Sequence, residues 1–275
     1  MVNTVCTLPS TPYNSWSDGW KARESPMKQT RYLMGTHITI EIVDKGASSE
    51  HIDEIYEYFR YVDEKFSTYK ETSEISRINN DLIRESQYSP DMKQVLSLCE
   101  LTRRETNGYF DIRHNGILDP SGLVKGWSIW QAANLLKQKG VENFYVDAGG
   151  DIQFAGRNAE GKPWRVGIRN PFDQGEIVKV LTLSDEGIAT SGTACRGQHI
   201  YNPYRPNGVI TDIVSLSVIG ANVYEADRFA TAAFAMGSTG IYFIEGLPGF
   251  EGYMIDSSGT ATYTSGFARY AVPPL

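Results

Sequence analysis

No run of apolar residues in this 275-residue chain approaches the roughly twenty that a membrane-spanning helix needs. The first thirty residues, with Pro9, Pro12, Ser15, Ser17, Asp18 and Pro26, lack the apolar centre of a signal peptide. The expectation is a cytoplasmic protein if Met1 is the native start, and a periplasmic or membrane-anchored one if an export signal has been removed. Cysteine is scarce. Cys6, Cys99 and Cys195 are odd in number and far apart, which suits neither a disulfide framework nor a zinc site. Basic charge is also short, with 26 Lys and Arg against 33 Asp and Glu, a net charge of −7. A nucleic-acid partner, which needs a basic footprint, is therefore not expected. Neither G-x-G-x-x-G nor a Walker A loop is present, nor a nucleophile elbow with its Ser-His-Asp set, nor an H-x-x-x-H pair. There is no internal repeat and no low-complexity tract.

What is present reads as an ordinary globular chain, 41% hydrophobic and 21% charged. Residues 1–30 carry many turn formers and no periodicity, so they are read as an arm, with one domain over 31–275. His37 to Val43 alternates like a half-buried strand. Ile52, Ile55, Phe59, Val62 and Phe66 recur at helical spacing, and a short turn or helix follows over Ser73 to Asn80. Pro90 opens another amphipathic helix, which Asn107-Gly108 closes. A short strand is expected over Tyr109 to Arg113. Asp119 to Gly126 reads as a loop feeding a helix from about Trp127 to Gln138. From Asn143 the period changes to two, and strands are expected at 143–148, 151–155, 164–169, 177–183, 187–190 and 212–219. A helix near 238–245 and strands near 251–256 and 261–264 complete the chain. Helices early and strands late, joined by short Gly-bearing links, predict an α+β single domain with mostly antiparallel sheets flanked by helices.

The stretch Glu225 to Gly237 predicts a helix, with Asn222 as N-cap, Glu225 as its capping-box partner and Gly237 as the stop. Ala226, Phe229, Ala230, Ala233 and Phe234 make one apolar face. Asp227 and Thr231, four apart, stand one above the other at the edge of that face. A carboxylate and a hydroxyl so placed can share a hard cation such as Mg²⁺. The competing reading is a core helix whose Asp and Thr face solvent or cap a neighbour.

Three further segments hold more Gly and polar residues than a connection requires: Asp119 to Gly126, Asp147-Ala-Gly-Gly-Asp151 and Thr190 to His199. Consecutive glycines let backbone N–H groups approach phosphate oxygens, and Lys125 and Arg196 add positive charge. Each segment alone is also a plain structural turn; together with the acidic helix they favour a diphosphate-plus-metal site. His199 is one of only four histidines. It is read either as the base that activates a hydroxyl or as a hydrogen-bonded residue at a strand end.

These segments, in this order, resemble the ApbE family of flavin transferases, which attach FMN from FAD to protein threonines. The matching pieces are Met34-Gly-Thr36, Phe66-Ser-Thr-Tyr69 with Ser73-Glu-Ile-Ser-Arg-Ile-Asn79, Gly108-Tyr-Phe-Asp111, Leu123-Val-Lys-Gly126, Asp147-Ala-Gly-Gly-Asp151, Ala189-Thr-Ser-Gly192, His199-Ile-Tyr-Asn-Pro203, and Ala226-Asp227 through Thr231 to Met236-Gly237. The resemblance implies a flavin transferase, T-fold-like architecture. It also implies Mg²⁺ held by the Asp227 carboxylate, the Thr231 hydroxyl and the Ala148 carbonyl. By the same resemblance Met34 and Tyr69 line the isoalloxazine pocket, and Asp119, Ser121, Lys125, Asp147, Ala148, Gly149 and Arg196 hold the rest of FAD. His199 matches the histidine that activates the acceptor threonine. Two positions depart from the family pattern: Trp130 stands where an acidic residue is usual, and Asn202 replaces the usual Asp before Pro203.

The expected activity is Mg²⁺-dependent transfer of the FMN half of FAD to a threonine hydroxyl, releasing AMP. The acceptor is expected to be a protein carrying a D-G-x-T-[SG]-A-T-like segment. The alternatives are an FAD diphosphatase, with water in place of threonine, and a non-catalytic FAD-binding protein.

Overall fold

The computed structural model describes residues 26–173, 175–193, 200–205 and 208–272. Strands β1 (Met27–Leu33) and β2 (Thr36–Ile42) form the first hairpin. Four helices follow: α1 (Ser49–Phe66), α2 (Glu74–Asn79), α3 (Pro90–Glu105) and α4 (Ser121–Gln138). The small hairpin of β3 (Arg113–His114) and β4 (Ile117–Leu118) lies just before α4. Next come β5 (Phe144–Ala148), β6 (Asp151–Ala155), β7 (Trp164–Arg169), β8 (Ile177–Leu183), β9 (Gly187–Gly192) and β10 (Ile213–Gly220). The chain ends with α5 (Val223–Ala235), α6 (Gly240–Glu245), β11 (Glu251–Asp256) and β12 (Ala261–Tyr263).

Eight strands make one sheet in the order β1-β2-β5-β6-β9-β10-β11-β12, antiparallel throughout. Alternation along the strands gives the sheet two buried faces. Ile38, Ile40, Phe144 and Val146 meet Ile52, Tyr56 and Phe59 of α1 and Ile129 and Leu136 of α4. Further along the same face, Leu216 and Val218 meet Ala226, Ala230 and Phe234 of α5. The opposite face carries Tyr145, Ile152, Phe154 and Ile188, and the separate β7–β8 hairpin covers it with Trp164, Val166, Ile168 and Leu181. The α+β, mostly antiparallel architecture flanked by helices is as expected.

Three local expectations differ. Strand β1 begins at Met27, inside the stretch read as arm, because its alternate residues register against β2 from Met27↔Ile42 to Leu33↔Thr36. Residues 109–112 are not a strand. Phe110 is buried, and only Arg113–His114 finds a ladder partner, across a turn whose Asn115 and Gly116 both have positive φ (51° and 80°). That pair suits a two-residue type I′ turn. Helix α4 starts at Ser121 rather than near Trp127. Gly122 and Gly126 lower helix propensity and so suggested a loop, but their role is packing. A Cβ on Gly122 would lie 3.1 Å from Thr231 Cγ2, and one on Gly126 would lie 2.6 Å from Asp227 Cβ. Two glycines four apart on α4 thus receive the Thr and Asp four apart on α5.

Candidate active site

Helix α5 is fixed at its start by two side chains. Asn222 accepts a hydrogen bond from the Glu225 amide (2.9 Å), as expected for its N-cap. Gln153 Oε1 accepts from the Val223 amide (2.9 Å), tying the helix to β6. The Glu225 side chain pairs with Arg228 instead of closing a capping box, and the buried Arg228 also pairs with Glu105 of α3. This sets α5 across the sheet with Asp227 facing α4. Asp227 is 3% exposed, so it is not at the edge of the apolar face but enclosed between the two helices. Its Oδ2 accepts from the Gly126 amide at 2.8 Å, and Oδ1 stands 3.9 Å from Lys125 Nζ. Burial pushes its carboxyl up to about 7; Lys125 opposes that rise and Asp151 adds to it.

Lys125 Nζ lies 2.5 Å from Asp151 Oδ2, and the Thr190 amide donates to Asp151 Oδ1 at 2.9 Å. One turn beyond Asp227, the Thr231 hydroxyl donates to the Gly122 carbonyl at 3.3 Å. The β5–β6 connection is a two-residue turn, Gly149 and Gly150, at φ 66° and 99°. A Cβ on Gly149 would lie 2.5 Å from Thr36 Oγ1, so the position tolerates no side chain. The Gly150 amide donates to Asp147 Oδ1 (2.8 Å), and burial pushes that carboxyl up to about 7.

Lys125, Asp227, Thr231, Thr190 and the Gly149–Gly150 turn border one cavity of about 380 Å³. Ala148, Gly149, Asp119, Ser121, Lys125, Asp227 and Thr231 all line it. Asp147 lies behind the glycine turn and holds it. Met34, in the β1–β2 turn at φ 52°, packs against the helix-side clusters, while its neighbours Gly35 and Thr36 line the cavity. Tyr69 is 96% exposed in the α1–α2 connection and is not part of the lining. Arg196 and His199 lie outside the described residues. Trp130 stacks on Tyr224 (centroids 5.9 Å apart) among the helices, away from the lining, and Asn202 braces its own turn by accepting from the Tyr204 amide (2.9 Å).

Several lining residues were missed from the sequence. Gly122 was hidden in a segment read as loop, yet its carbonyl is the one in contact with Thr231. Asp151, which is not itself in the lining but pairs with Lys125, was visible in the D-A-G-G-D segment without an assigned role. Asp111, His114 and Tyr201 meet at one end of the cavity, and Arg169 and Asn170 reach it from the β7–β8 hairpin. The Tyr201 hydroxyl donates to the carbonyls of Asp111 (2.8 Å) and Arg113 (3.1 Å). Burial, with Asp111 and Asp119 nearby, pushes this phenol up to about 12.

The donor set at the α4–α5 contact is all oxygen: a buried carboxylate, a hydroxyl and a backbone carbonyl. Hard cations such as Mg²⁺ take such ligands and leave further positions to water or phosphate oxygens. Among the described residues no group of three or more His, Cys, Asp or Glu is placed to hold a metal ion, so a cation here would rest on one carboxylate with hydroxyl and carbonyl oxygens. That oxygen set fits Mg²⁺.

The family model described as "ApbE family" matches residues 34–118 and 113–254 of this sequence. The chain belongs to the ApbE family. Among its relatives, the FAD:protein FMN transferase of Haemophilus influenzae is 25% identical, aligned over 74% of this chain and 79% of the relative. That of Vibrio cholerae is 33% identical over 44% of this chain and 39% of the relative, and that of Escherichia coli 30% identical over 54% and 44%. The chain thus spans less than half of the length of the latter two. The solved flavin transferase ApbE from Vibrio cholerae superposes with a TM-score of 0.79 at 23% identity, covering 90% of this chain and 99% of that one. The ApbE protein of Thermotoga maritima gives 0.81 at 18% identity, covering 90% and 100%. This ApbE-family chain therefore shares their fold over most of its described length.

Proposed function

We propose that this chain transfers the FMN half of FAD to a threonine hydroxyl of an acceptor protein, releasing AMP, in a Mg²⁺-dependent reaction. The observation that carries the reading is the α4–α5 contact. Gly122 and Gly126 admit Thr231 and Asp227 into the wall of a cavity in a chain whose family match spans both helices. Asp227, Thr231 and the Ala148 carbonyl are the protein oxygens that would hold Mg²⁺, which would supply neutralisation of charge on the diphosphate and on the leaving phosphate.

The chain's own residues bind and orient. The Gly149–Gly150 turn gives the diphosphate a wall without side chains. Lys125, held by Asp151 and close to Asp227, keeps positive charge beside the phosphates. Asp119 and Ser121 at the start of α4, with Asp147 behind the turn and Arg196, hold the remainder of FAD, and Met34, beside the lining residues Gly35 and Thr36, belongs to the isoalloxazine end. His199 takes the proton of the acceptor hydroxyl as its oxygen forms a bond to the FMN phosphorus. The bond from that phosphorus to the AMP oxygen breaks, and AMP leaves with the electron pair. The acceptor threonine lies in a D-G-x-T-[SG]-A-T-like segment.

The test is incubation with FAD, Mg²⁺ and an acceptor domain carrying that segment, followed by mass spectrometry. The expected product is an acceptor heavier by one FMN less water, with one AMP per adduct. Fast AMP release without acceptor, and no adduct with it, would make the chain a diphosphatase. FAD binding without either product would make it a carrier.

A further inference from the structure

The β3–β4 hairpin has two residues per strand, far too few to persist in water unsupported. Other parts of the chain hold it. Asn79 of α2 accepts from the Leu118 amide (2.8 Å) and donates to the Leu118 carbonyl (3.0 Å). Tyr201 grips the carbonyls of Asp111 and Arg113 from the other side, and the Asp119 amide donates to the Ile112 carbonyl (2.8 Å). The positive φ values of Asn115 and Gly116 set the turn. Ile117 at its tip is exposed.

What the hairpin presents is His114. It is the one histidine among the described residues that lines the cavity, and its ring lies 4.0 Å from that of Tyr201 at 32°. No hydrogen bond reaches either of its ring nitrogens among the described residues. A tilted ring contact with Tyr201, not a hydrogen bond, holds the imidazole. A histidine that moves protons is ordinarily oriented by a partner on its second nitrogen, and His114 has the surroundings of a flat surface instead. Asp111 and Asp119 line the same end and offer acceptors to hydroxyl or ring N–H groups.

We propose that His114, backed by Tyr201, is a specificity-determining residue on which a planar ring of FAD stacks. This rests on the reading of FAD as substrate. The two flat rings of FAD, adenine and isoalloxazine, share the chemistry that recognises this surface, and separate binding measurements tell them apart.

The test is titration of the full chain with FAD, FMN and ADP, each with Mg²⁺, for the wild type and for His114→Ala, His114→Gln and His114→Phe. Flavin fluorescence reports FAD and FMN, and calorimetry reports ADP. Stacking of a base on an aromatic side chain corresponds to about 5- to 150-fold in affinity. His114→Ala and His114→Gln are expected to weaken FAD binding within that range. His114→Phe, which keeps a ring, is expected to bind FAD within about twofold of wild type. Parallel weakening for FMN assigns the isoalloxazine, and for ADP the adenine; either supports the proposal. It is overturned if His114→Ala binds FAD like wild type, or if His114→Phe binds normally but loses turnover at saturating FAD, which would make His114 a proton-transfer group. Failure of the wild type to bind FAD would remove the substrate reading itself, a result distinct from both.

Discussion

Gly126 and Asp227 are joined by a 2.8 Å hydrogen bond from backbone amide to carboxylate, in a gap that admits no Cβ. Everything about the candidate metal end depends on this approach of α4 to α5.

Alanine at 126 is the direct probe. Helix propensity alone would make Gly126→Ala stabilising by about 1 kcal/mol. The added Cβ would fall 2.8 Å from the Val223 carbonyl oxygen as well as 2.6 Å from Asp227 Cβ, and backbone cannot step aside cheaply. Overpacking of this kind costs about 1–3 kcal/mol. The expected result is a thermal midpoint about 2–6 °C lower. A midpoint at or above wild type would show that the helices part without cost.

Asp227 calls for a gentler change than truncation. Alanine would strip the Gly126 amide of its buried partner, so loss of activity would be mixed with loss of fold. Asp227→Asn keeps the shape and an acceptor for that amide while removing the charge. It is expected to melt close to wild type and to lose at least about 10²-fold in transfer rate, the scale of a lost electrostatic group in an active site. Mass spectrometry of the acceptor over time measures the rate. Wild-type turnover at low Mg²⁺ would rule out Asp227 as a ligand.

Lys125 and Asp151 form a pair in which the carboxylate is 1% exposed and the ammonium a quarter exposed. Removing one partner of a buried pair leaves the other uncompensated, at about 3–5 kcal/mol. Lys125→Met and Asp151→Asn are each expected to destabilise the chain, and the double variant by less than their sum. Urea denaturation of all four proteins gives the coupling. Simple additivity would mean that the pair contributes nothing in the folded chain.

Much of this site was legible in the sequence because its parts are local. The i, i+4 spacing of Asp227 and Thr231, the Gly149–Gly150 turn and the N-cap at Asn222 each depend on a few neighbouring residues. What was not legible required a partner far along the chain. Gly122 and Gly126 signal a loop until α5 is placed against them, and then they signal a helix contact. The burial of Asp227 could not be read from α5, because α4 creates it. Tyr201 and Asn79 fix the β3–β4 hairpin from both sides, and nothing local to residues 109–118 announces them. The strands after Asn143 were the easiest part, since alternation and short turns specify antiparallel neighbours directly.

Asp212 gives a pH prediction away from the cavity. Burial alone would raise its carboxyl, but hydrogen bonds from the Ser238 amide and hydroxyl and from the amides of Asp212 and Ile213 outweigh that and hold it below the usual value. A depressed carboxyl adds stability above the unfolded-state pKa of about 3.9 and loses it as pH falls through the lower folded value. The difference in urea midpoint between wild type and Asp212→Asn should therefore be level above about pH 5 and shrink below about pH 4. A gap that stays constant down to pH 2.5 would show that the charge of Asp212 contributes nothing.

The sheet order also sets the sequence of assembly. β9, β10, α5, α6, β11 and β12 are near neighbours along the chain. By contrast, Ile42 meets Phe144 only after α1 to α4 have all been threaded between them. Closing that long loop carries a conformational cost that the C-terminal half does not bear, and distant pairings slow folding. The C-terminal strands with α5 are thus the natural nucleus, and β1–β2 docks onto β5 late. Val218→Ala should then slow refolding, whereas Ile40→Ala should mainly speed unfolding, and the reverse pattern in stopped-flow kinetics would refute this order. Between those two events the ledge formed by β5 is open, so the stage most exposed to mispairing with another chain is the one before β2 arrives.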